Sequence, residues 1–139
     1  MANDQITTAQ AGSQKNISII SLRGFIDLTT AEEVERLLST LMKAQRHNII
    51  VDLRHSDYIS SSIWGIFLEK NKKIREQNGD LKLANMKPDV LEVYKVLELF
   101  RVMKSFDTLE DAIEDFLSAS FTRCVYRSTL PGSPRLNVQ

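Results

Sequence analysis

With Cys124 as its one cysteine, the 139-residue chain can form no intrachain disulfide; this suits a reducing compartment, and a cytoplasmic location is expected. A charge excess is missing too: Lys+Arg and Asp+Glu both number 18, so the formal net charge is zero. Nucleic-acid binders and acidic-membrane binders carry a basic excess, so neither kind of partner is expected. No apolar run approaches the ~20 residues of a membrane span. The first residues, Met1-Ala2-Asn3-Asp4-Gln5, lack the basic start and apolar core of a signal peptide. There is no Walker loop, no Gly-x-Gly-x-x-Gly and no Gly-x-Ser-x-Gly elbow. The two histidines, His47 and His55, form no metal-ligand cluster with Cys124. His55 and Asp57 precede Ser61 closely, but His55 reads as a loop residue rather than a triad member. No catalytic residue, metal or cofactor is assigned, and the chain is not expected to be an enzyme.

What is present suits one soluble domain: 42% hydrophobic and 26% charged residues. Strand and helix periods alternate along it. A weak strand is expected around Gln5–Thr8 and a firm one over Asn16–Arg23. Gly24–Thr30 reads as a loop. A helix follows over Ala31–Ala44, with Val34, Leu37, Leu38 and Leu41 at helical spacing. His47–Leu53 is nearly all apolar, as in a buried parallel strand. A helix to about Asn78, a strand over Leu81–Asn85 and a helix from Pro88-Asp89 come next. The last of these has Val90, Val93, Val96 and Leu97 as its expected inner stripe. A short strand over Val102–Phe106 and a helix from Asp107-Thr108 to near Phe116 complete the pattern. The fold class is therefore α/β: one domain with a mixed sheet and about four helices mainly on one face. Residues 1–15 are an N-terminal segment, 16–117 the domain, and 118–139 a basic tail with Pro131-Gly132-Ser133-Pro134.

The junction Tyr58-Ile59-Ser60-Ser61-Ser62-Ile63-Trp64-Gly65 concentrates three hydroxyls where a strand enters a helix. A serine there can serve as a plain N-cap, accepting an orphan backbone N–H. It can equally serve as a covalent switch, because a helix N-terminus holds a phosphate well. Helical phase puts Trp64, Phe67, Leu68 and Ile74 on the sheet side and leaves Ile63 and Ile66 outside, as a docking pair beside Ser61. Lys70, Lys72, Lys73 and Arg75 read as a solvated face balanced by Glu69 and Glu76.

Three segments together resemble STAS domains of the anti-sigma factor antagonist type. They are Gly24-Phe25-Ile26-Asp27 with Thr29-Thr30-Ala31-Glu32, Ile49–Leu53 with the junction, and Gly79–Leu83 with Pro88 and Leu97. The resemblance spans roughly Asn16 to Phe116. It implies a partner-switching protein that binds an anti-sigma factor/serine-protein kinase when unmodified and releases it when Ser61 is phosphorylated. Ser60 and Ser62 remain alternative acceptors. A serine phosphatase would reset the switch. The partner surface implied is Asp27, Ser60, Ser62, Ile63 and Ile66, on a monomer or weak dimer. Two positions depart from the family pattern: Ser60 stands where the family has aspartate, and Ile63 where it has glycine. Other expectations in the same family are a scaffold subunit of a large stressosome-like signalling complex and an accessory module of a lipid or small-molecule transport system.

Overall fold

The computed structural model describes residues 5–12 and 16–125, with side chains to 117. The first strand, β1 (Ile6–Ala11), pairs antiparallel with β2 (Ile17–Ile26), from Ile6 opposite Leu22 to Ala11 opposite Ile17. Helix α1 (Leu28–Lys43) leads to β3 (Asn48–Ile59), which lies parallel to β2. Helix α2 (Ser61–Glu76), β4 (Asp80–Ala84), α3 (Pro88–Val96), a 3-10 turn at Leu99–Arg101, β5 (Ser105–Phe106) and α4 (Leu109–Val125) follow. The sheet order is β1-β2-β3-β4-β5, with every pair after the first parallel. The mixed α/β architecture expected from the alternating periods is therefore present.

Apolar side chains leave the sheet on both faces. On one, Ile20, Leu22, Val51, Leu53 and Leu81 meet Val34 and Leu38 of α1, Ile63, Trp64, Phe67 and Ile74 of α2, and Val90 and Tyr94 of α3. On the other, Ile17, Ile19, Ile50, Ala84 and Phe106 meet Ala112 of α4. Each fully buried Ile or Leu contributes on the order of 1.5–3 kcal/mol, so the larger cluster dominates stability. Gly79 ends the turn before β4 because a side chain there would strike the His47 carbonyl oxygen, 2.0 Å from the Cβ position.

Several elements differ from the sequence expectation. The loop expected over Gly24–Thr30 shrinks to Asp27: β2 continues through Ile26, and α1 begins at Leu28. Strand β3 runs six residues past Leu53 and includes His55, which is a strand residue. The polar run Arg54-His55-Ser56-Asp57 hides this extension. It pairs with β2 through two register shifts, between Ser21 and Arg23 and between Gly24 and Phe25, with Gly24 at φ +80°. Ser56 is buried there, and its hydroxyl donates to the Leu22 carbonyl at 2.8 Å.

In α3, Val90 and Tyr94 face inward, whereas Val93, Val96 and Leu97 face out. Counting valines misphased the helix because the aromatic Tyr94 takes the core position. Lys70 is no solvated residue: it is buried, and its ammonium donates to Ser39 of α1 at 3.0 Å. Helix α4 extends to Val125, past the expected end near Phe116, and so takes in the first residues assigned to the tail. The remainder of that tail, and residues 1–4 and 13–15 of the N-terminal segment, lie outside the described residues.

Candidate functional site

The carboxyl ends of β2 and β3 lie side by side, Phe25 opposite Tyr58 and Ile26 opposite Ile59. The Ser60 N–H then donates to the Ile26 carbonyl at 2.9 Å, which places the start of α2 against the start of α1. Asp27 is the N-cap of α1. Its carboxylate accepts from the Thr29 hydroxyl at 2.6 Å and from the Thr29 N–H at 3.0 Å. The Thr29 hydroxyl, and then its N–H, hold the exposed carboxylate below its ordinary pKa, because both favour the charged form.

Helix α2 begins differently. Ser60 sits at the N-cap with extended backbone, yet its side chain makes no capping bond. The Ser60 carbonyl accepts from Ile63 and Trp64 at 3.1 and 3.2 Å, while its hydroxyl oxygen is buried without a partner. The first turn carries no acidic residue. The positive end of the α2 dipole is therefore neither capped by a side chain nor neutralised, and Ser61 and Ser62 stand exposed on it. Such an end accepts an anion through its backbone N–H groups. Of the three hydroxyls, those of Ser61 and Ser62 belong to exposed residues and that of Ser60 does not.

The apolar neighbours are not those expected. Ile63 is 0% exposed and packs in the main core, so it offers no side chain to a partner. The cause is helix phase: Ile63, Trp64, Phe67 and Ile74 share the inner face. Ile66 is half-buried against the same core. Exposed apolar surface comes instead from Phe25, Leu28 and Tyr58, which are 64%, 71% and 47% exposed. The rings of Phe25 and Tyr58 lie 5.8 Å apart. A sequence signal for them exists: in Phe25-Ile26 and Tyr58-Ile59 two apolar residues are adjacent, and a strand sends neighbours to opposite faces.

Gln5 ties this end together. Its side-chain amide donates to the carbonyls of Arg23 and Phe25 at 3.1 and 2.9 Å and accepts from the buried Thr30 hydroxyl at 3.2 Å. Nothing in the composition marks Gln5, because the bonds span 18 to 25 residues. Among the described residues no three His, Cys, Asp or Glu side chains group to hold a metal, and no helix is long and apolar enough to cross a membrane.

Comparison with known proteins is consistent with this geometry. The family model described as the STAS domain matches residues 8–112. The chain is 29% identical over 101 residues to the anti-sigma factor antagonist BtrV of Bordetella bronchiseptica, covering 73% of this chain and 87% of that one. Among solved structures, an anti-sigma factor antagonist from Thermotoga maritima superposes with a TM-score of 0.73 at 18% identity, covering 81% of this chain and 94% of that one. The Bacillus cell fate determinant SpoIIAA in its phosphorylated form gives 0.62 at 22% identity, covering 79% and 99%. At such identities these two structures speak for the fold.

Proposed function

The chain belongs to the STAS domain family, and from that premise we propose that it is a phosphorylation-switched interaction protein of the anti-sigma factor antagonist kind. The observation that carries this reading is the exposed Ser61 on an α2 N-terminus with neither a side-chain cap nor an acid in its first turn. In this reading the unmodified protein binds an anti-sigma factor that is also a serine kinase. The contact uses Asp27, Ser61, Ser62 and the exposed Phe25, Leu28 and Tyr58, with Ile66 at its edge. Phosphate on Ser61 adds about −1.5 to −2 charges. The helix end accommodates that charge, whereas a partner pressed onto the adjacent apolar surface has to desolvate it. Release follows from repulsion and desolvation, with no change of fold, and a serine phosphatase resets the cycle. The protein acts in the cytoplasm as a binding protein rather than an enzyme.

The two departures from the family pattern have different weights. Ile63 replaces a glycine but points into the core, so it puts no bulk in the partner's way. Ser60 replaces an aspartate and leaves the phosphate without a neighbouring like charge in the first turn. Incubation with the cognate kinase, followed by mass spectrometry and a binding titration of both forms, tests the proposal. Phosphate on Ser61 and lost affinity are expected. Phosphate confined to Ser60 or Ser62, or equal affinity of the two forms, would overturn it.

A further inference from the structure

Along the second half of α1, away from the Asp27 cap, a cavity of about 490 Å³ separates the helix from the β1–β2 hairpin. Strand pairing sets its floor. Thr8 stands opposite Ile20 and Gln10 opposite Ser18, so these four side chains share one face of the sheet. Ile20 packs in the cluster that α1 also enters, which makes this the helix side. Leu37 and Leu41 of α1, both half-buried, form the wall. An apolar wall with a few polar groups, in a space within the ~300–1,000 Å³ of small-molecule sites, is the usual make-up of a ligand pocket.

Among the described residues, Arg46 is the one charged side chain in the lining. The way α1 ends puts it there. Gln45 takes a left-handed backbone at φ +63°, and the Arg46 N–H turns back to the Leu41 carbonyl at 2.9 Å. The side chain then borders the cavity, where its Nε–H donates to the buried Ser18 hydroxyl at 2.8 Å. A guanidinium carries five N–H donors in a planar fork, more than one hydroxyl takes up. No acidic side chain lines the cavity among the described residues, so an anion entering it meets no like charge in the lining.

We propose that this cavity binds a small aliphatic carboxylate, its head on the Arg46 fork and its chain along Ile20, Leu37 and Leu41. Charge selects the head. One guanidinium beside neutral Ser18, Thr8 and Gln10 matches a single negative charge, and a planar fork holds a carboxylate through two parallel bonds. A phosphate monoester brings close to two charges, for which the lining has one cation. The wall selects the tail, since hydrocarbon covers the apolar surface that Leu37 and Leu41 leave open. None of these residues belongs to the serine junction, so the site is separate from the switch.

Calorimetry and backbone amide spectra of the full chain with sodium hexanoate, octanoate and decanoate, each below its micelle concentration, test this. Affinity should rise along the series, by no more than about fourfold per methylene, as the chain covers the wall. Octanoate should bind roughly tenfold or more tighter than octanol or octylammonium, which lack the charge that Arg46 meets. Arg46→Gln should remove that preference. Thr8→Trp, at an exposed strand position, fills the cavity with Arg46 kept in place, and it should abolish binding. Amide shifts should gather at Gln10, Ser18, Leu37 and Leu41. Thermal melts check that each variant folds, and Thr8→Trp decides the matter should Arg46→Gln fail to. No binding of any of the three acids by wild type would overturn the proposal. So would octanol bound as tightly as octanoate, octanoate binding unchanged in Thr8→Trp, or shifts centred on the exposed Phe25 and Tyr58.

Discussion

Ser60, Ser61 and Ser62 carry the same hydroxyl in three settings, and the differences set what each substitution does. Ser61→Asp places a carboxylate on an open helix end, where the dipole favours it by a few tenths to about 1 kcal/mol. Its melting temperature should stay within a few degrees of wild type while affinity for the anti-sigma partner falls; paired calorimetry and titration measure both. Ile63 behaves as the opposite case. Fully buried, it should lose about 2–4 kcal/mol on replacement by Ala, measured by urea unfolding, whereas Ser62→Ala should barely register. Helical phase read from the sequence makes Ile63 and Ile66 a docking pair; with Ile63 in the core, the exposed Phe25 and Leu28 are the residues whose substitution probes docking. Gln5→Ala leaves the buried Thr30 hydroxyl without its acceptor, at roughly 1–3 kcal/mol. Asp27 supplies a pH dependence. Because its folded pKa is depressed, its capping contribution is complete above the unfolded carboxylate value of about 3.9. That contribution is lost as pH falls through the lower folded value. Acid melts of wild type and Asp27→Asn should differ near neutrality and converge in strong acid.

The elements were legible to unequal degrees, and the reason differs from one to the next. Strand β3 announces itself through Ile49-Ile50-Val51 but not through its polar second half, where pairing survives by register shifts that no alternation marks. In α3 a Tyr took the inward position that counting aliphatic residues gave to Val93 and Leu97. At the junction, the position of Ser61 at the head of α2 was readable from the apolar run before it and the helical spacing after it. The exposure of Phe25 and Tyr58 was signalled only by their apolar neighbours Ile26 and Ile59, and that signal has meaning only once β2 and β3 are known to extend to these residues, where Gly24 and the polar run 54–57 suggested loops. Helix α4 illustrates an interaction that only the folded chain reveals. Its Asp115 carboxylate accepts from the buried Lys82 ammonium at 2.6 Å, while Asp80 accepts from the same ammonium at 3.2 Å. The ammonium also lies 4.3 Å from the Phe116 ring centre. Asp115→Ala should destabilise by about 3 kcal/mol, since it strips a buried cation of its nearest counter-ion. Lys82→Met with Asp115→Leu should recover most of that loss, because packing replaces the pair. Chemical denaturation of both variants separates the two effects.

For the whole molecule, the division of labour follows from the sheet. Parallel strands β2 and β3 deliver two helix N-termini to one end, so the serines and the Asp27 cap meet there whatever the surface sequence. The expectation that Asp27 lies beside the serines comes from the resemblance to STAS domains. The Gln5 tie and the inward turn of Lys70 needed three-dimensional neighbours to become visible. The inner face of α2, from Ile63 through Trp64 and Phe67 to Ile74, is sealed against the core from its first turn. This has a consequence in time. If nothing in the helix must shift between the two states, no slow relaxation stands between modification and release. The delay after phosphorylation is then set by the dissociation rate of the complex alone. A stopped-flow record of release should follow a single exponential whose rate does not depend on protein concentration, with no lag at any temperature below the melt.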